Sequence, residues 1–373
     1  MIGTEAQPLT SPLQNRHVNL GAKFAEFSGW DMPLEYSGAV NEHLAVRSRA
    51  GIFDVSHLGK VVVRGPGAAA YVNACLTNDL DKISPGQAQY TLCCADDGGV
   101  IDDLIAYLRS SDEVLLIPNA ANTAEIAQRL SRSAPGRIEV LNRHKDFAVL
   151  AVQGPASDDV LQSMSYPVGH DYMSFVEVRH DDVSVVVCRT GYTGERGYEL
   201  VVPREAALSV WDAVMTAGEP AGIIAAGLGA RDTLRTEMGY PLHGNDISRD
   251  ITPVQARLGW AVGWGKESYW GREALQAEKS VGAARSLLGL VAVARGIPRR
   301  GMAVADSAGD SIGVITSGTF SPSRKQGVGL ALLSRSIEEE TEVYVDVRGR
   351  LEPFTVTKPP FVTPGVRKGA DSR

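Results

Sequence analysis

Apolar runs bounded by turn residues predict strands at Gln89–Cys94, Val100–Leu108 and Val114–Pro118. Asp96-Asp97-Gly98-Gly99 joins the first two as a hairpin turn, the strongest signal of that kind in the chain. Asn119-Ala-Ala-Asn122 then reads as the cap of a helix over Thr123–Arg132. Two segments echo each other. Val61-Val-Val-Arg-Gly-Pro66 and Leu150-Ala-Val-Gln-Gly-Pro155 each read as an apolar strand and a Gly-Pro turn, followed by a helix. Further helices are predicted over Arg204–Ala217 and Gly227–Met238. Repeated strand-turn-helix units point to an α+β architecture and away from a helical bundle.

Beyond Gly265 the pattern changes. Gly265–Ala284 is polar and reads as a connector with a short helix at Arg272–Lys279. Short strands broken by turns follow at Leu287–Ala294, Met302–Ala305, Ser311–Ser317, Val328–Leu333, Glu342–Val347 and Phe354–Lys358. That spacing predicts a small antiparallel barrel or sandwich as a separate C-terminal domain. The tail Pro364–Arg373 reads as mobile, with charges that need no function.

Length agrees with this division, since 373 residues exceed one ordinary core and imply two or three domains. The formal net charge is -7, and no long basic run occurs, which argues against a nucleic-acid partner. Cys75, Cys93, Cys94 and Cys188 form no CxxC pair and read as buried free thiols of a reducing compartment. The histidines are scattered, so a metal site is not expected. Met1–Asn15 has no targeting pattern and no run is long enough to span a membrane, so a cytoplasmic enzyme or binding protein is the expectation.

The chemistry concentrates in a few places. Cys188–Leu200 spaces Gly191, Gly194 and Gly197 among two tyrosines and two glutamates, between apolar runs. It reads as a tight hairpin whose emerging strand carries Glu199, either a loop that grips a flat, hydrogen-bonding heterocycle or a decorated turn. Asp102 and Asp103 interrupt an apolar strand and alternate onto opposite faces. Only one of them can face solvent from a half-buried sheet, and the other should meet a partner or a ligand. On the helix Gly227–Met238, Arg231, Arg235 and Met238 share a side, either a solvated salt-bridge face or an anion- or carbonyl-binding one. Tyr240-Pro-Leu-His243-Gly-Asn leaves that helix as a candidate pocket rim. His57, with Asp54 and Ser56 nearby, is the best general base by residue type, but no GxSxG elbow supports a hydrolase triad.

Taken together these segments resemble the T-protein (aminomethyltransferase) family of the glycine cleavage system. The resemblance is carried by Phe27-Ser-Gly-Trp-Asp-Met-Pro33, Gly51-Ile-Phe-Asp-Val-Ser-His57, Gly98-Gly-Val-Ile-Asp-Asp-Leu104, Gly191-Tyr-Thr-Gly-Glu195 and Gly227–Arg231. Thr316-Ser-Gly-Thr-Phe-Ser-Pro322 and Pro360-Phe-Val362 extend it, in order, to nearly the whole chain. It implies an α+β multidomain fold of antiparallel sheets with helices. A folate-binding catalytic region would occupy residues 1–270, as two interleaved subdomains, and an antiparallel β-barrel residues 285–366. It also implies transfer of a one-carbon unit from the aminomethyl-lipoyl arm of an H-protein partner to tetrahydrofolate, a co-substrate, with release of ammonia. By resemblance Asp103 is the catalytic carboxylate, Glu199 holds the pterin, and Arg231 belongs to the folate site. Tyr90, Asn119, Tyr192, Tyr240 and Leu58 match pocket-lining positions, Leu58 standing where the family usually has methionine. Arg196 stands where the family often has aspartate, and its charge either affects the folate tail or faces water. The alternatives are a folate-dependent demethylase of the same superfamily and a non-catalytic folate-binding protein of iron–sulfur assembly.

Overall fold

The computed structural model describes residues 7–367. Two sheets dominate the N-terminal region. One is five-stranded, in the order Gln87–Cys94, Val100–Ser110, Glu113–Ile117, Val61–Arg64, Glu139–Asn142. The other is six-stranded, in the order Phe175–His180, Val183–Cys188, Gly197–Pro203, Phe147–Gln153, Gly51–Asp54, Ile224–Ala225. Their inner faces share one apolar cluster, in which Ala88, Tyr107 and Leu115 of the first meet Phe53, Val149 and Val201 of the second. The outer faces are covered by helices. Ala68–Cys75 and Thr123–Ser133 cover the five-stranded sheet through Val72, Ile126 and Leu130. Ser157–Ser163 and Ala207–Gly218 cover the six-stranded one through Leu161, Val210 and Trp211.

The sequence echo supplies one unit to each sheet. Val61–Arg64 leads into the helix Ala68–Cys75 in the first, and Phe147–Gln153 into Ser157–Ser163 in the second. Both turns need glycine. Gly65 and Gly154 have φ of +124° and +128°, and an added Cβ would lie 2.2 Å from the Arg137 carbonyl and 2.5 Å from that of Arg49. Only glycine allows that backbone and that approach together.

A three-stranded sheet of Leu9–Thr10, Trp30–Glu35 and Lys23–Phe27 stands apart, in a region whose pattern predicted no element. Buried Glu42 ties it to the rest. Its Oε1 accepts from the N–H groups of Tyr36, Ser37 and Gly38, and its Oε2 from Gly227, where the helix Leu228–Met238 begins. That helix ends at Gly239, left-handed at φ +68°.

Residues 285–357 close a six-stranded barrel in the order Arg285–Ala292, Gln326–Ser334, Ser311–Ser321, Ala303–Ala305, Glu342–Asp346, Leu351–Thr357. Leu290, Val304, Val343 and Phe354 fill its interior. No described helix is long and apolar enough to cross a membrane. All four cysteines are free and buried.

The structure differs from expectation at two connections. Cys188 and Gly197 are joined by an irregular loop over residues 189–196 and not by a tight turn. The tail read as mobile is held as far as it is described. Gly365 N–H donates to the Gly194 carbonyl at 2.7 Å, and Arg189 donates to the Val366 carbonyl at 2.6 Å. Residues 368–373 lie outside the described residues.

Candidate functional site

A cavity of about 610 Å³ opens where the two large sheets face each other, beside the helix Leu228–Met238. Leu58, Tyr90, Asp103, Asn119, Tyr192, Glu199, Arg231 and Tyr240, scattered over the sequence, all line it. Glu199 belongs to the six-stranded sheet, and Tyr90 and Asp103 to the five-stranded one. Topology therefore brings two carboxylates on different sheets to a single space.

The glycine-rich loop is pinned from beneath by Gln153. Its amide donates to the carbonyls of Thr190 and Tyr198, each at 3.2 Å, and accepts from the Thr193 hydroxyl at 2.7 Å. Gly191 and Gly197 pass so close that a Cβ on either would fall within 2.5 Å of the Gln153 side chain. The loop's glycines are thus spent on packing against this amide. Glu199 keeps one oxygen engaged by the Thr190 hydroxyl at 2.5 Å, and Thr190 in turn receives Tyr107 at 3.1 Å.

Asp103 is held at both oxygens. Tyr90 donates to Oδ2 at 3.0 Å and the Asn119 amide to Oδ1 at 2.9 Å. Burial lifts Asp103 above the ordinary carboxylate range, opposed by nearby His243 and by the bonds from Tyr90 and Asn119. Burial, then the charge of Asp103, pushes the Tyr90 phenol well up, so Tyr90 stays protonated and donates. Asp102, on the opposite face, is fully buried and bonded to Asn119 and Asn122. The expectation that only one of the pair can face open space holds, since Asp103 is half-buried and lines the cavity while Asp102 meets partners. The capping role of Asn119 and Asn122 fails, because neither side chain caps the helix Thr123–Ser133 and both serve the carboxylates.

Aromatic rings form the walls. Tyr192 stacks on Tyr240 with centroids 5.7 Å apart, and the Arg231 guanidinium lies 4.6 Å over Tyr192. Tyr90 stacks at 5.3 Å on Trp260, which is 66% exposed. Arg235 and Met238 do not share the solvated face considered for them. Arg235 is buried against Asp232, Asp246 and Ser317, and Met238 packs beneath Gly194. His243 lines the cavity, as a rim residue would.

His57 lines the cavity too, but not as a base. Burial, then the charge of Arg231, pushes its imidazole down to about 3. The carboxylate that a triad would need is turned away, since Asp54 binds His17, Ser11 and the Ser56 N–H. Arg196 does not line the cavity; partly exposed, it pairs with Asp158 at 2.7 Å. The residue patterns gave no sign of Thr190, Trp260 or Arg367. Arg367 was hidden in the supposed mobile tail, yet lines the cavity and lies 5.9 Å over the Tyr172 ring.

Comparison with known proteins agrees along the whole length. Residues 13–266 match the GCVT N-terminal domain, and residues 285–363 the glycine cleavage T-protein C-terminal barrel domain. An aminomethyltransferase of Frankia alni is 60% identical over 354 residues, 94% of this chain and 97% of that one. One from Mycobacterium tuberculosis is 57% identical, over 94% of this chain and 96% of its own. The crystal structure of the glycine cleavage system aminomethyltransferase T from Bartonella henselae superposes with a TM-score of 0.90 at 34% identity. That match covers 95% of this chain and 98% of that one.

Proposed function

This chain belongs to the glycine cleavage T-protein family and is an aminomethyltransferase, and from that premise we propose how its cavity serves the reaction. Tetrahydrofolate occupies the space between the two sheets, and the aminomethyl-lipoyl arm of an H-protein partner reaches it there. The observation that carries this reading is the convergence of Asp103, Glu199, Arg231 and the stacked tyrosines on one cavity.

Each side chain suits a distinct task. Glu199 offers a carboxylate to the paired N–H groups of an aminopyrimidinone edge, a bidentate, charge-assisted contact. Tyr192 and Tyr240 present flat area to the pterin and aminobenzoyl groups, and Arg231 adds a cation beside them. Asp103 lies where charge develops as the C–N bond to ammonia breaks. A fixed carboxylate there stabilises an iminium-like carbon and relays protons. The balance is simple. Two N–H protons leave the folate as its nitrogens bond the carbon; one ends on ammonia and the other on the freed lipoyl thiol.

The reading is tested by mixing the protein with aminomethylated H-protein and following ammonia with and without tetrahydrofolate. Folate-dependent ammonia release is expected, and none at all would end the proposal. A non-catalytic folate carrier is not favoured, given relatives at 55–60% identity that carry the enzyme's name.

A further inference from the structure

Asp102 has no task in the reaction as described, yet it is a fully buried carboxylate next to the one that has. Its oxygens meet only N–H donors: Asn119 N–H at 3.0 Å, the Asn119 amide at 2.9 Å and the Asn122 amide at 2.7 Å. Among the described residues no lysine, arginine or histidine lies within 4 Å to pair with it. A carboxyl surrounded by donors has no acceptor for a proton of its own, so this arrangement suits the charged form. Asp103 differs, because its Oδ2 meets the Tyr90 hydroxyl, which can turn and accept. The two carboxylates are tied by one amide, as Asn119 Nδ2 reaches Asp102 Oδ1 and Asp103 Oδ1 at 2.9 Å each.

We infer that Asp102 is a positioning residue that fixes Asp103 through Asn119 and, by its own charge, makes Asp103 the member of the pair that takes up a proton. This rests on the role given to Asp103 above. Other groups face the pair from every side. Tyr90 and Cys93 come from the neighbouring strand, Tyr192 from the glycine-rich loop and His243 from the segment after the helix Leu228–Met238. Burial raises the two phenols and the thiol, which leaves them uncharged. His243 Nε2 faces the Val100 carbonyl at 3.2 Å, and its Nδ1 faces the Asn122 amide at 3.1 Å, so the network ends there. Burial, then repulsion from Asp103, pushes Asp102 well above the carboxylate range against the bonds from Asn122 and Asn119, so it is the donor-only surroundings of Asp102 and the hydroxyl at Asp103 that assign the charge to Asp102.

The test is the pH profile of kcat for ammonia release, in the full-length protein and two variants. Asp102→Asn removes the repelling charge, so the limb that reports Asp103 should move to lower pH by about one pH unit. Asn122→Ala removes a donor from the pair's charge, so the same limb should move up by about half a pH unit. Opposite shifts support the inference. Limbs unmoved in both variants, with kcat merely reduced, would overturn it, since a structural role changes the rate and not the limb. Thermal unfolding checks each variant; if Asp102→Asn does not fold, the Asn122→Ala profile decides alone. Asp103→Asn is run alongside to separate the two readings. A near-normal rate there removes the role of Asp103 itself, and the inference with it. If that rate is lost and the limbs stay fixed, only the part given to Asp102 falls.

Discussion

Glu199 and Asp103 are both carboxylates on strands lining one cavity, and their partners assign them different work. Among the described residues Glu199 has one hydroxyl donor, and its head lines the cavity, which suits ligand binding. Asp103 is gripped at both oxygens, which suits a group that must hold its place while charge develops. Asp103→Asn keeps the shape and loses the charge, so kcat should fall by about a hundredfold or more. Its folate affinity, measured by calorimetry, should change little. Glu199→Ala should do the reverse. The folate Kd should rise roughly tenfold to a hundredfold, with kcat at saturating folate close to normal. Both carboxylates were legible as oddities in apolar strands, although their roles came from family resemblance. Asn119 lines the cavity as the resemblance implies, but the cap expected of it and Asn122 is absent, because an asparagine before a helix looks the same whether its amide serves backbone or a distant side chain. Residue type alone makes His57 a candidate base, whereas its burial beside Arg231, which lowers the imidazole, is a tertiary fact that no local pattern carries.

Among the elements, the strand Phe147–Gln153 has the most concentrated effect on the site, through its last residue. Gln153 is buried, and its one amide bonds two carbonyls and a hydroxyl around the glycine-rich loop. Removing the amide takes a donor from each carbonyl and an acceptor from the hydroxyl, in a space too tight for an easy rearrangement. Gln153→Ala should therefore destabilise the fold by about 2 kcal/mol, read from the denaturant midpoint. It should also weaken folate binding, because Glu199 begins only two residues after Gly197. Unchanged affinity in a destabilised variant would show that the loop holds its shape without the amide. The strands and helices beyond residue 60 were largely legible from periodicity and Gly-Pro punctuation, as the matched units at Val61 and Leu150 demonstrate. The loop over residues 189–196 was not. Its glycines suggest a tight turn locally, while their actual purpose is close approach to Gln153 and to Met238 from other parts of the chain.

At the scale of the molecule, the helix Leu228–Met238 joins the cavity to the barrel. Arg231 lines the cavity, while Arg235 donates to Ser317 of the barrel and Glu237 accepts from Ser321 and Ser323. Arg47 extends the connection, bonding Glu237 at 2.8 Å and Glu195 of the glycine-rich loop at 3.0 Å. The barrel thus braces the same helix that carries a ligand-facing arginine, which gives a separate C-terminal domain a reason to affect folate binding. Burial raises Glu237, but bonds from His43 and Ser321 and the charge of Arg47 outweigh it and hold the carboxyl at about 2. A carboxyl depressed in the folded state stabilises the fold above its unfolded value, near 4.5, and loses that contribution as the pH falls towards 2. Glu237→Gln should accordingly lower the thermal midpoint at pH 7, and its deficit against the parent should shrink steadily from pH 4.5 downwards. A deficit independent of pH would mean that the shape of the side chain, and not its charge, joins barrel to helix. If the charge does the joining, folate affinity should fall together with stability in the same variant at neutral pH.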